Sequence, residues 1–132
     1  MKRLQDPFNL AWCVGLYEGE GSLFIANQIR DTGKIYSYAR SSLKMTDLDV
    51  LSRFHFLVDC GNVIEQSDRC KKQLASNWKK HWYWQLTKRD ELKQLMFLFY
   101  PHLGVRRQLK IREIFPDVVQ LAGDTGLKIP SV

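Results

Sequence analysis

From Pro7 to Tyr17 the apolar residues keep a helical period, and Asp6 ahead of Pro7 gives the helix a start. An N-cap acceptor there precedes a residue whose missing N–H costs nothing at the first helical position. Residues 22–30 then alternate, with Leu23, Ile25 and Ile29 against Ser22, Ala26, Gln28 and Arg30. A period of two predicts a strand with one buried face. Asp31-Thr32-Gly33-Lys34 reads as a turn. Ile35 to Lys44 forms a second strand, with Tyr36, Tyr38, Arg40, Ser42 and Lys44 on one side and Ile35, Ala39 and Leu43 on the other. The pair should make a hairpin with a core face and a polar, basic and aromatic face. A second helix is expected to open at Thr46, where Asp49 three residues on makes a short version of a capping box. It should bury Leu48, Leu51, Phe54, Leu57 and Val58 and stop at Cys60-Gly61.

The second half repeats the alternation of elements. Asn62 to Asp68 reads as a short third strand, followed by a basic loop with Arg69, Lys71, Lys72, Lys79 and Lys80. A fourth strand, His81 to Thr87, leaves Tyr83 and Gln85 on one face and puts Trp82, Trp84 and Leu86 on the other, read as core in preference to rings that stack on nucleic-acid bases. Arg89-Asp90-Glu91 starts a third helix, which buries Leu92, Leu95, Met96 and Phe99 until Pro101 breaks it. A fourth, from Val105 to Phe115, is apolar at Leu109, Ile111 and Ile114 and basic at Arg106, Arg107, Lys110 and Arg112. The class is therefore α+β, with one domain over residues 1–122 and a loosely ordered tail at 123–132.

Composition narrows the partners. The chain has 132 residues, enough for a single core, and 45% of them are hydrophobic, which argues for a folded protein. Lysine and arginine number 20 against 14 acids, a net charge of +6 that points to an anionic partner. No run approaches the ~20 apolar residues of a membrane span, and the N-terminus lacks a signal-peptide pattern, so nucleic acid is favoured over a membrane surface. Cys13, Cys60 and Cys70 are odd in number and show no C-x-x-C spacing, so they read as free thiols rather than a zinc site. His55, His81 and His102 are scattered and read as structural or surface residues.

One stretch stands apart: W-C-V-G-L-Y-E-G-E-G-S, from Trp12 to Ser22. Ala11, Gly15 and Gly19 recur every four residues, so one helix face carries nothing larger than a methyl. Each glycine inside a helix costs roughly 0.5–1 kcal/mol relative to alanine, a cost easier to understand if a second helix packs there. Glu18 and Glu20 fall in the last turn, where the helix end already carries partial negative charge. They require a cation or donor groups, and a divalent metal would serve. A buried amphipathic helix with a frayed acidic end is the plainer alternative.

G-L-Y-E-G-E-G-S, from Gly15 to Ser22, resembles the LAGLIDADG motif of homing endonucleases, with Glu at both acidic positions. K-M-T-D-L-D-V-L and the following G-N-V resemble the second helix and next strand of single-motif members. The resemblance implies an αββαββα fold with a four-stranded antiparallel saddle sheet and one extra C-terminal helix. It implies a homodimer, because chains with one motif complete their site by pairing, with Ala11, Trp12, Gly15, Glu18 and Gly19 at the interface, Glu18 binding the partner helix or the site periphery. Glu20 would be the catalytic and metal-binding acid, assisted by the Gly19 position, and Arg106 the basic residue after the third helix, where lysine is commoner. Mg²⁺ would be the cofactor, Mn²⁺ a substitute, and Ca²⁺ a support for binding without cleavage.

The implied substrate is a palindromic or pseudo-palindromic duplex. A ten-residue strand spans about 33 Å against ~3.4 Å per base pair, so each subunit would track roughly 10 bp. DNA contacts are expected from Ser22, Phe24, Ala26, Gln28, Arg30, Tyr36, Tyr38, Arg40, Ser42, Lys44, Gln66, Tyr83 and Gln85, with Lys71, Lys72, Lys79, Lys80 and Arg107 as basic support. Arg can bond guanine and Gln adenine through two hydrogen bonds each, which singles out Arg30, Arg40 and Gln28. Neither a membrane nor a small-molecule substrate is expected. The location would be cytoplasmic or nucleoid-associated, with an organelle as the alternative. A non-cleaving nucleic-acid-binding module, such as an intron RNA maturase or a DNA-binding regulator, is the competing function, since it would share the faces and the charge.

Overall fold

The computed structural model describes residues 1–66 and 80–118. Its main elements are α1 (Pro7–Glu20), β1 (Gly21–Ile29), β2 (Ile35–Met45), α2 (Leu48–Val58), β3 (Asn62–Glu65), β4 (Trp82–Leu86), α3 (Arg89–Phe99) and α4 (Val105–Ile114). Single 3-10 turns at Lys2–Gln5 and Tyr100–His102 precede α1 and join α3 to α4. The expected α+β order is present.

Local chemistry explains the ends of α1. The Asp6 carboxylate accepts the backbone N–H of Phe8 at 2.8 Å and of Asn9 at 3.4 Å. At the other end Gly21 is extended, so the helix runs straight into β1 without a loop. A Cβ on Gly21 would lie 2.5 Å from the Tyr17 ring, which packs against the bare backbone. Glu20 is thus fixed at the joint between a helix and a strand.

The four strands are ordered β1-β2-β4-β3, and each neighbouring pair is antiparallel. The register pairs Leu23 with Ser41 and Leu43 with Trp84, so Leu23, Ala39, Ser41, Leu43, Trp84 and Leu86 share one face and are buried on it. A slip of one residue would send all of them to the other face. The helices supply the cover. Phe54 of α2 meets Trp84 edge-on, with ring centroids 5.0 Å apart, and Phe99 of α3 joins Phe54 to Tyr17 of α1. The Trp84 indole N–H donates to the Cys60 carbonyl at 2.8 Å. Gly61 makes that approach geometrically possible: its φ is +80°, and a Cβ would lie 2.5 Å from Trp84 and from the Gln85 carbonyl. A buried hydroxyl pair, Tyr17 and Ser41 at 2.7 Å, also reaches the Ser22 carbonyl.

Several expectations change. Ile25, Ile29 and Ile35 lie on the core side of their strands but are 48%, 76% and 68% exposed, because the tip of the hairpin projects beyond the helices. Helix α2 is capped at Asp47 rather than Thr46, with no side-chain cap bond, and Leu48 at its first position is exposed. On α4 the buried positions are Gln108 and Ile111, not Leu109, since Gln108 Nε2 donates to the Tyr100 carbonyl at 2.8 Å and pulls that face inward. The third strand ends at Glu65, and Gln66 lies just past it, its N–H donating to the His81 carbonyl. Lys71, Lys72, Lys79 and Cys70 lie outside the described residues, as do 119–132 and so the expected domain boundary at 122.

Candidate functional site

The two acids of α1 have different fates. Glu18 is taken up by its own chain: Oε1 accepts the backbone N–H of Gly104 at 3.2 Å, and Oε2 lies 3.4 Å from Arg107 Nε. Arg107 Nε also donates to the Glu18 carbonyl oxygen at 2.9 Å. Gly104 caps the N-terminus of α4, whose unpaired N–H groups carry partial positive charge. The negative end of one helix therefore meets the positive end of another, and the donors that Glu18 requires come from within the chain rather than from a partner helix. A Cβ on Gly104 would sit 2.5 Å from Glu18 Oε1, so the contact also depends on a bare backbone at the cap.

Glu20 has no such support. Its side chain is exposed and has no hydrogen-bond or ion-pair partner among the described residues. It borders an open hollow shared with Lys44, Thr46, Asp47 and His81. Asp47 brings a second carboxylate to that hollow, an acid absent from the sequence-based site. The signal was obscured because the helix start was placed one residue early, and because an Asp at an N-cap is expected to spend its oxygens on the helix. Here it makes no cap bond.

The small face of α1 is open. Ala11, Gly15 and Gly19 are exposed, and a Cβ built on either glycine would meet nothing within 4 Å. Trp12, expected beside them, is half-buried instead, with the Arg53 guanidinium of α2 4.2 Å above its ring. Phe8, one turn toward the N-terminus, is 85% exposed.

On the sheet, the register collects the expected contact residues on the face away from the helices. Ser22 pairs with Ser42, Phe24 with Arg40, Ala26 with Tyr38 and Gln28 with Tyr36. Ser42 and Lys44 in turn pair with Gln85 and Tyr83 of β4, which pair with Asn62 and Ile64 of β3. Asn62 and Ile64 were not assigned from the sequence, although their parity with Gln66 places them on the same face. Gln28, Tyr38, Arg40, Gln85 and Thr87 line a concavity of about 350 Å³. The Arg30 guanidinium lies 4.6 Å from the Tyr36 ring, and that of Arg40 6.0 Å from the Phe24 ring. A guanidinium held over a ring is ordered at low entropic cost, and the Arg40 Nε is buried there without a hydrogen-bond partner among the described residues. Lys80 is tied to Glu65 at 2.9 Å at the far edge. Arg106 is exposed and without a partner among the described residues, and Arg107 lies beside it.

The fit to a divalent cation can be judged from the donor set. Among the described residues no three His, Cys, Asp or Glu side chains gather into a cation site. Glu20 offers free carboxylate oxygens, the donor type a hard divalent cation takes, but by itself it is too few ligands for a site. Mg²⁺ accepts sites with one or two carboxylates plus substrate phosphates.

No protein-family model matches the chain, and no curated protein matches it. Solved structures do. An archaeal intron-encoded homing endonuclease, I-Vdi141I, complexed with DNA, superposes with a TM-score of 0.64 at 17% identity over 87% of this chain and 71% of that one. The homing endonuclease I-CvuI in complex with its target in the presence of Ca matches with a TM-score of 0.63 at 15% identity, over 94% and 83%. The homing endonuclease I-TnaI gives 0.62 at 19% identity, over 84% and 71%. The chain has the LAGLIDADG homing-endonuclease fold.

Proposed function

We propose that this chain is a site-specific endonuclease of the homing type, acting as a homodimer on duplex DNA with Mg²⁺ as cofactor. The observation that carries the reading is a single one: the same helix end presents an uncovered glycine face and an unpartnered glutamate at the margin of a polar, basic sheet face. A pure binder gains nothing from a free carboxylate where a phosphate must approach. DNA-bound neighbours of the same fold support the substrate class.

In this reading two copies meet through Ala11, Gly15 and Gly19, and each sheet follows one half-site in the major groove. Glu20 of each copy reaches the scissile phosphates near the dyad, where a bound divalent cation would activate a water and offset charge on the leaving oxygen. Arg106 holds the phosphate by its charge and donors. Glu18 does not touch the reacting atoms. It fastens α4 so that Arg106 stands next to Gly21 and Ser22.

A randomised duplex library incubated with Mg²⁺, and separately with Ca²⁺, tests the reading. Cleavage at a two-fold-related site of about 20 bp is expected with Mg²⁺ and only binding with Ca²⁺. Glu20→Gln should reduce cutting by at least about a hundredfold, the scale of several kcal/mol in a metal-assisted step, while binding persists. Undiminished cutting by that variant would remove Glu20 from the chemistry. Binding without cutting by the unaltered chain in Mg²⁺ would favour the non-cleaving module.

A further inference from the structure

Helix α4 lies against the first residues of β1, at an open edge of the sheet, and the two enclose a cavity of about 250 Å³. Arg106, Arg107 and Lys110 all line it, together with Ser22 and the Tyr17 ring. The three cations differ in what already occupies them. Arg107 is only 13% exposed, is bonded to Glu18 and lies over Tyr17, so it forms part of the wall. Arg106 has no partner among the described residues. Lys110 stands four residues on, hence on the same helix face. Its ion pair is with Glu113, at 3.5 Å between two solvent-exposed side chains, a contact worth little against a competing anion. Glu18 offsets Arg107, which leaves two positive groups one helical turn apart, facing one cavity with no acid of its own.

We propose that this cavity is a phosphate-binding site, in which Lys110 joins Arg106 on the one phosphate that Arg106 holds where the duplex passes the start of β1, and Arg107 is the positioning residue that fixes α4. The proposal rests on the reading of the sheet as a duplex-binding face, and it adds a role for Lys110, which lies outside the strands and the acid motif. A free phosphate would offer the same oxygens, so the two sources must be separated by experiment.

Duplex affinity measured against NaCl concentration does this, because each phosphate contact contributes close to one unit to the log–log slope. One phosphate per copy is two per homodimer, so Arg106→Gln with Lys110→Gln should reduce the slope by about two units, Lys110→Gln alone by about one because Arg106 still offsets part of the charge, and Lys2→Gln, at the N-terminal turn, should leave it unchanged. A Lys110→Gln slope equal to that of the unaltered chain overturns the proposal while leaving duplex binding intact. No salt-dependent duplex binding by the unaltered chain would instead bring down the duplex-binding reading and this proposal with it. The second arm follows the Lys110 side-chain resonances during titration with inorganic phosphate. Saturating shifts there without a slope change would assign the cavity to free phosphate and overturn the DNA assignment.

Discussion

The two halves of the β1–β2 hairpin obey the same alternation and have opposite fates. Near the helices, Leu23, Ala39, Ser41 and Leu43 are buried, under rings from α1, α2 and α3. Toward the tip, Ile25, Ile29 and Ile35 continue the same side of the strands and are exposed. The tip is held by local contacts instead. Ser37 donates to Asn27 Oδ1 at 2.6 Å, Tyr36 and Tyr38 stack at 5.8 Å, and the turn closes through Gly33, at φ +81°, with the Arg30 N–H donating to the Lys34 carbonyl. Alternation fixes which side chains share a face. It says nothing of what covers that face, which depends on how far the helices reach. In the proposed function the division has a use: the covered half fixes Glu20 and the sheet register, and the tip carries Gln28, Arg30 and Tyr36 toward the duplex.

The covered half depends most on the indole at its centre. Trp84→Ala should destabilise by about 3–5 kcal/mol, since it deletes a fully buried ring and its hydrogen bond to Cys60. Urea denaturation checks it. A loss below about 1 kcal/mol would mean that the aromatic chain from Tyr17 through Phe99 and Phe54 is not the support it looks to be.

How much of this was legible beforehand follows from the same division. The strands, their faces and the stripe of Leu92, Leu95, Met96 and Phe99 could be read because each is a local period. The tip isoleucines, Leu48 and Leu109 could not, because exposure depends on the reach of distant elements. The acids show the limit most clearly. Charge at the wrong end of α1 announced that Glu18 and Glu20 needed compensation, and the need is met for Glu18 by Gly104 and Arg107, 86 and 89 residues away. Spacing within the motif cannot reveal a donor that remote. Asp47 was hidden for a different reason: a cap residue that does not cap has no signature in the sequence.

A smaller effect probes the polar centre of the covered half. Burial pushes the Tyr17 hydroxyl from 10.0 up to about 12, and burial likewise pushes the Cys13 and Cys60 thiols from 9.0 up to about 12. All three are neutral in the folded chain, and the unfolded chain ionises first. Their contribution is therefore complete below about pH 9 and is lost as pH rises toward 12. For Tyr17 alone the loss between pH 10 and 12 should approach about 1.4 kcal/mol per pH unit. Tyr17→Phe should cost about 1 kcal/mol at neutral pH through the bond to Ser41, yet flatten the alkaline fall in thermal stability. An unchanged alkaline slope would place the ionising groups elsewhere.

The smallest expected effect is at the tip. Ile29 and Ile35 face each other across the hairpin, and replacing both with threonine keeps the β-branch that suits a strand while making the surface polar. With 76% and 68% of their surface already in water, stability should change by no more than about 0.5 kcal/mol. A loss well above this would show that the tip is covered in solution. Protein concentration then identifies the cover: a second copy lying on the isoleucines stabilises by mass action, so the difference between the variant and the unaltered chain would grow with concentration. Cover from within the chain would give a difference that does not change.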